Sequence, residues 1–172
     1  MAIKVTIIFA IALSSLLSSL HNVEGTSRVD ELCLGSQFPN DCSDSIPKYL
    51  ENPENPTHND ILLAGLKVIA ERADEGIKAI EKLKSETDGI DAARLGMVQA
   101  YYTMIFARSN AAIVSLKGED FGSLEYELDY AVKTTYECFD LLPKDSPVQE
   151  YTRKIHMASK NNISFGNFVG SE

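Results

Sequence analysis

Apolar residues recur every three or four positions through most of the chain after residue 57, which is the spacing of one face of an α-helix. Four such stripes follow one another along the chain. Their members are Leu62, Leu66, Ile69, Ala73, Gly76, Ile80 and Leu83; Leu95, Val98, Tyr102, Ile105, Ser109, Ala112 and Leu116; Phe121, Leu124, Leu128, Ala131, Thr135, Cys138 and Leu142; Val148, Tyr151, Ile155, Ala158, Asn162, Phe165 and Val169. No segment shows the sustained period of two that marks a β-strand, so the pattern predicts an all-α protein.

The breaks between the stripes are short: "SETDGID", "KGED" and "PKDSP". Short connections between helices of this length force neighbouring helices to run antiparallel. Thr57 can cap the first helix, and the prolines at 53 and 56 mark a hinge ahead of it. The sequence therefore predicts an up-down-up-down four-helix bundle over residues 57–170, preceded by a helical hairpin over residues 27–50.

The chain opens with "MAIKVTIIFAIALSSLLSSLHNVEG", in which Lys4 precedes an uncharged apolar run over residues 5–13. A positive start, a short apolar run and small residues before the cut are typical of a secretory signal peptide. The run is too short to span a bilayer comfortably. We therefore expect a signal peptide over residues 1–25, a mature domain over residues 26–172, and a soluble protein of the extracellular space or, alternatively, the vacuole, with no membrane partner.

Two of the three cysteines, Cys33 and Cys42, lie close together in "CLGSQFPNDC". A metal clip, a redox pair and a disulfide are all consistent with such a pair. The oxidising secretory route favours the disulfide. A metal clip usually needs four ligands, and the chain has no second cysteine pair to complete one, so we expect neither metal nor cofactor. Cys138 is left without a partner.

The formal net charge of the chain is -9, and no basic stripe is present. This excludes nucleic acid and an anionic membrane surface as expected partners. An acidic secreted domain would associate more readily with a basic partner, although the charge is also explained by solubility alone.

None of the common catalytic signatures occurs in the chain. His58 and His156 are general-base candidates, but we interpret them as solvated residues on polar helix faces. The carboxylates of Glu125, Glu127 and Asp129 are interpreted as helix surface. We therefore predict that the protein is not an enzyme and has no catalytic residues.

Tyr101, Tyr126 and Tyr130 lie outside the apolar stripes, which makes them candidate contacts for a partner protein, with ordinary boundary packing as the alternative. Asn162 begins the glycosylation sequon "NIS" but also belongs to the fourth stripe. We expect an unglycosylated asparagine inside the bundle, and a sugar at Asn162 only where the last helix rotates or frays.

These features together resemble the plant invertase and pectin methylesterase inhibitor family. The motif "CLGSQFPNDC" fits the family's cysteine pair, whose second half reads like "T-x-Y-P-x-x-C". The segment "EDFGSLEYELDYAV" is similar to the family's "DY-x-S" stretch at the start of the third bundle helix, and "YECFD" resembles its "TCED". The resemblance covers residues 27–170 and implies a hairpin held by a first disulfide, with a second disulfide between the second and third bundle helices.

The chain departs from the family at that second disulfide. The family's second bundle helix carries "C-x-x-x-Y", and the corresponding "VQAYY" here places Tyr102 at the tyrosine and Val98 at the cysteine. We therefore expect no second bridge and a buried free thiol at Cys138. A bridge between two molecules through Cys138 is the alternative.

The resemblance implies a secreted, monomeric protein inhibitor that covers its target's substrate cleft in a reversible one-to-one complex. The loop "KGEDFGS" lacks the Pro-Lys-Phe triplet found in cell-wall invertase inhibitors of this family. Its absence favours pectin methylesterase over acid invertase as the target. Glu119, Asp120 and Phe121 form the expected tip of that loop, although Phe121 also fits the start of the third core stripe. The alternatives are a bundle that has lost inhibition and a small-ligand carrier with a cavity inside the bundle.

Overall fold

The computed structural model describes residues 27–166, so the expected signal peptide, Thr26 and residues 167–172 lie outside the described part. Within residues 27–166 there are six α-helices, one 3₁₀ turn at Pro47–Tyr49, and no strand. The helices are α1 (Arg28–Cys33), α2 (Pro39–Ser45), α3 (His58–Lys84), α4 (Gly89–Lys117), α5 (Phe121–Leu141) and α6 (Val148–Gly166). None of the described helices is long and apolar enough to cross a membrane.

The long helices α3 to α6 form the predicted antiparallel bundle. Helix α3 packs against α4 and α6, and α5 packs against the same two helices, so the four helices close a ring in chain order. Helix α3 begins with a reciprocal cap, in which Thr57 Oγ1 accepts from Asp60 N at 3.2 Å and Asp60 Oδ2 accepts from Thr57 N at 2.9 Å. The all-α bundle expected from the sequence is confirmed.

Helices α1 and α2 form the predicted N-terminal hairpin. A disulfide joins Cys33 to Cys42 across it, with the two Cα atoms 5.6 Å apart and both side chains buried. Pro39 lies in the first turn of α2, where a missing N–H costs no helical hydrogen bond. A hairpin of this size has too little core to be stable alone, so the disulfide and the bundle must both support it.

Polar contacts dock the hairpin onto α3 and α6. Arg72 on α3 donates from its two terminal nitrogens to the carboxylate of Asp41 at 3.0 and 2.9 Å. The Asn161 amide on α6 accepts from Phe38 N at 2.8 Å and donates to Phe38 O at 3.2 Å. Both side chains of the Arg72–Asp41 pair are largely buried, at 13% and 12% exposure, so the pair is shielded from solvent screening.

The core follows the four apolar stripes closely. All seven members of the second stripe, on α4, are buried. The exception in the third stripe is Phe121, which is 37% exposed at the first position of α5. The interpretation of Phe121 as the first core residue of that stripe is therefore wrong. Val169 of the fourth stripe lies outside the described residues.

Tyr102 is the largest fully buried side chain of the core. Its hydroxyl lies 2.6 Å from Thr152 Oγ1 on α6, which satisfies the buried polar atom. Its ring lies against Gly76 on α3, where an added Cβ would stand 2.3 Å from Tyr102 Cε2. Gly76 of the first stripe therefore leaves room for the Tyr102 ring, because it has no side chain.

Candidate protein-contact surface

The loop between α4 and α5 carries three of the residues expected to contact a partner. Glu119 has φ 57°, the one positive φ among the non-glycine residues of the described chain. Asp120 caps α5, because its Oδ1 accepts from Ser123 N at 3.1 Å. Hydrogen bonds from the Ser123 side chain, and then from its backbone, hold the pKa of Asp120 below its usual value. Phe121 follows with a partly exposed ring. The loop is thus a short, tightly turned segment that presents two acidic side chains and one aromatic side chain.

Tyr126 and Tyr130 lie one turn apart on α5, and Arg108 of α4 connects them. The Arg108 guanidinium carbon lies 5.6 Å from the Tyr126 ring centroid and 4.7 Å from that of Tyr130. The same guanidinium donates to both carboxylate oxygens of Glu127, at 3.0 and 3.1 Å. This hydrogen bond raises the pKa of Arg108, so its charge is retained at any physiological pH. The arrangement orients Tyr126, which is 59% exposed, toward solvent.

Tyr101 does not join this surface. It is half-buried, packs against the hydrophobic core, and forms a side-chain hydrogen bond with Glu137 that raises the tyrosine pKa. Tyr130 is also half-buried and donates from its hydroxyl to Met104 Sδ at 3.3 Å. Of the three tyrosines singled out in the sequence, Tyr126 alone combines high exposure with a position beside the α4–α5 loop.

Helix α5 concentrates negative charge on this side of the molecule. It carries five acidic residues and one basic residue, Lys133. Glu125 and Asp129 are exposed, as expected, whereas Glu127, the partner of Arg108, has a side chain only 12% exposed. We call the exposed part of this region the α5 face, defined by Phe121, Glu125, Tyr126 and Asp129. The sequence did not reveal Arg108 and Glu127 as its organising pair, because the two lie on different helices, 19 residues apart.

Cys138 is fully buried and forms no disulfide. Burial raises the pKa of its thiol to about 12, so the thiol stays protonated and unreactive in the folded state. Val98, the residue expected opposite it, is fully buried on α4, which packs directly against α5. The two positions therefore belong to one apolar core, as the stripes predicted.

The interpretation of His156 as a solvated surface residue is wrong. The ring is half-buried and meets the edges of Phe38, Tyr136 and Phe139, with ring centroids at 6.5, 5.0 and 5.8 Å. Thr135 Oγ1 donates to Val132 O at 2.6 Å, so it accepts from His156 Nδ1 at 2.8 Å and fixes the Nδ1–H tautomer. Burial, followed by the charge of Lys160, lowers the pKa of His156.

Among residues 27–166, the His156 ring hydrogen-bonds to Thr135 and is surrounded by three aromatic rings. Among residues 27–166, no three side chains of the metal-ligating types come together as a candidate metal site. The features that remain are an exposed aromatic and acidic face and a preformed loop, both carried by rigid helices. Exposed aromatic side chains of this kind are common where proteins contact one another.

Comparison with known proteins places this fold in a specific class. The chain is similar to a solved pectin methylesterase inhibitor from Arabidopsis thaliana, with a TM-score of 0.64 and 14% identity over 86% of this chain and 99% of that chain. It is also similar to a mutant form of an Arabidopsis pectin methylesterase inhibitor, with a TM-score of 0.70 and 14% identity over 85% of this chain and 99% of that chain. No protein-family model and no curated protein sequence matches the chain. The chain therefore has the fold of the pectin methylesterase inhibitors.

Proposed function

We propose that the protein is a secreted inhibitor of a plant cell-wall carbohydrate-active enzyme, with pectin methylesterase as the favoured target and acid invertase as the alternative. The observation that carries the proposal is the fold, which matches solved pectin methylesterase inhibitors over 99% of their chains.

The α5 face supports the proposal as the surface that contacts the enzyme. Exposed tyrosine next to partly exposed phenylalanine is the composition of interface hot spots. The Arg108–Glu127 pair fixes the Tyr126 ring before binding, which lowers the entropy lost on association. The inhibitor would act by covering the substrate cleft in a reversible one-to-one complex, and its own residues would perform no chemistry.

Charge complementarity is the second support. The acidic residues of α5 lie beside the aromatic contacts, so a basic enzyme surface would be attracted to this face first. Opposite charges accelerate association. At 0.1 M ionic strength, salt largely screens the attraction between exposed charges that are more than about 10 Å apart. Association that slows as salt is added is therefore expected, and an association rate independent of salt would remove the electrostatic part of the proposal.

The decisive experiment is a titration of the mature chain, residues 26–172, against a plant pectin methylesterase and an acid invertase near pH 5. Saturable one-to-one inhibition of one enzyme and not the other would establish both the class and the target. Inhibition of neither enzyme across several isoforms, by a protein with a confirmed helical fold, would reject the proposal.

The free thiol of Cys138 favours one alternative, a helical bundle that keeps the fold without inhibiting. The family resemblance implies a second disulfide at this position, and the chain lacks it. Under this alternative the protein would be folded and secreted, and the same titration would detect no complex.

A further inference from the structure

A groove of ≈ 260 Å³ lies between the first half of α5 and the end of α6. Its floor is apolar, formed by Leu124 and Leu128, each 3% exposed, and by half-buried Ile163. Gly122 and Gly166 border the groove and contribute no side chains to fill it. The floor is close to the second glycine, since a Cβ placed on Gly166 would lie 3.8 Å from Leu128 Cδ1.

The rim of the groove is acidic. Glu125 and Asp129 lie one turn apart on α5, are exposed, and line both this groove and an adjoining cavity bordered by Tyr126 and Tyr130. Asp129 is 3.2 Å from Lys133 Nζ, whereas Glu125 forms no salt bridge within residues 27–166. An apolar floor thus lies beneath a carboxylate rim that is only partly neutralised.

We infer that this groove binds one long cationic side chain, an arginine above all, from the partner protein. The groove is smaller than the roughly 300–1,000 Å³ of pockets that hold drug-sized ligands, so one side chain fits it better than a free metabolite. Arginine lays its aliphatic stem on apolar surface and keeps its charged end in a polar rim. Its planar guanidinium pairs with carboxylates in two places at once and stacks on tyrosine rings, which lysine does less well.

The inference deepens the proposed function and rests on it, because the partner is taken to be the inhibited enzyme. A probe independent of inhibition separates the two. The ¹⁵N-labelled mature chain is titrated with N-acetyl-arginine amide, and then with the leucine and glutamate equivalents. We expect saturable shifts of the Gly122 and Gly166 amides with the arginine probe, weaker shifts with leucine, and none with glutamate. Equal shifts with all three probes, or shifts elsewhere on the molecule, would overturn the inference.

Two variants test the floor and the rim separately. A side chain added at Gly122 meets only Asp120 Oδ1, at 3.9 Å from the new Cβ, so Gly122→Met is expected to fold and to fill the groove with the charge unchanged. The double variant Glu125→Gln/Asp129→Asn removes the rim charge and leaves the shape unchanged. We expect each variant to weaken binding of the arginine probe at least fivefold and to weaken inhibition of the enzyme at least tenfold.

The matched control is Glu54→Gln/Glu75→Gln, which makes the same change in net charge at exposed positions away from α5. It is expected to leave the arginine probe unaffected; an equal loss in the control would mean that overall charge, and not the groove, binds the cation. Contacts of the Phe168 ring with the Leu124 and Leu128 methyls would show that the chain's own following segment occupies the groove. Concentration-dependent shifts would show a second copy there, and either result would overturn the inference.

If the wild-type chain binds the arginine probe in the groove and inhibits neither enzyme, the proposed function fails and the groove survives as a cation site. If it inhibits an enzyme and Gly122→Met inhibits equally well, the function stands and the groove inference fails.

Discussion

The side chain of Asn162 lies directly against the backbone of Gly65, so that a Cβ added to Gly65 would stand 2.2 Å from Asn162 Oδ1. Asn162 is fully buried, and within the described residues neither polar atom of its amide has a hydrogen-bond partner. A buried amide without partners costs free energy, and it fixes the register of α6 on α3 because it fits only opposite a residue without a side chain.

The first prediction concerns this contact. Gly65→Ala is expected to lower the free energy of unfolding by about 1–3 kcal/mol, since the new methyl overpacks a site that cannot move into solvent. Gly96→Ala is the control, because its Cβ would meet only Lys84 Nζ at 3.8 Å. At Gly96 alanine should stabilise α4 by up to about 1 kcal/mol through helix propensity. Urea unfolding of both variants is the measurement, and equal stabilities would contradict the close contact.

The second prediction couples the two residues of this contact. Asn162→Ala removes the amide that Gly65→Ala would strike, so the double variant should recover much of the stability lost in Gly65→Ala alone. Residues in contact show coupling energies of about 0.5–3 kcal/mol in such cycles. A coupling energy of zero would indicate that the two side chains do not meet.

The burial of Asn162 also predicts that this residue carries no glycan in the folded, secreted protein, which a measurement of the intact mass checks.

Much of this fold is readable in the sequence, for a physical reason. A helix that buries one face must repeat apolar residues every three or four positions, so the stripe that contained Asn162 predicted its burial although the residue is polar. The same rule failed at Phe121, because a residue at the first position of a helix has neighbours on one side alone. His156 was misread because its partners Phe38, Tyr136 and Phe139 are brought to it by the hairpin and by α5, which no local pattern records.

The candidate surface was predicted less completely than the fold. Exposed tyrosines outside a stripe are visible in the sequence, and Tyr126 is such a residue. Whether a tyrosine is held rigid depends on contacts between helices, and here it is Arg108 on α4 that holds the ring. The groove of α5 and α6 depends on two glycines, Gly122 and Gly166, that lie 44 positions apart in the numbering of the chain.

A third prediction follows from the environment of His156. Burial lowers its pKa below the ordinary 6.5, so on acidification the unfolded chain takes up the proton first. The groups around the ring are Thr135, Tyr136 and Phe139 of α5, Phe38 of the hairpin, and Lys160 of α6, and Lys160 also opposes protonation. Stability is therefore expected to fall as the pH is lowered from 7 through 6.5 toward 5.

Thermal unfolding of the wild type and of His156→Gln between pH 7 and pH 5 is the measurement. The variant should be less stable at pH 7, because it loses the ring contacts, and should show a flatter dependence on pH. The capping carboxylates Asp60 and Asp120 have lowered pKa values, so their contribution is lost only at lower pH, near and below the ordinary carboxylate value. An identical slope in both proteins over this window would remove His156 as its source.

A fourth prediction concerns Tyr126 and rests on the proposed function. Tyr126→Ala should weaken inhibition of the target enzyme at least tenfold, a loss of about 1.4 kcal/mol or more, because truncating a central interface tyrosine is among the costlier changes at a protein contact. The unfolding temperature should change little, since the ring is 59% exposed. Tyr136→Ala is the matched control on the same helix, with a ring that is 51% exposed but packed beside His156. Equal effects of the two substitutions on inhibition would place the enzyme contact elsewhere.

The last prediction concerns the thiol of Cys138. Val98 and Cys138 are both fully buried on adjacent helices. The sequence resemblance implies a disulfide between these two positions, so Val98→Cys should form one with Cys138 when the protein is oxidised. In the chain-entropy account, closing a loop of about 40 residues stabilises a protein by about 4 kcal/mol, less any strain in the folded state.

The measurement is a count of titratable thiols after denaturation, together with urea unfolding. The variant should show no free thiol and a higher unfolding midpoint, which a reductant should lower again. In the control, Val98→Cys/Cys138→Val, one thiol should remain and the midpoint should not respond to the reductant. Two free thiols in the oxidised single variant would show that the helices hold these positions too far apart. Cys138 would then contribute to packing of the core alone, and the bundle would lack the stability that a second disulfide provides.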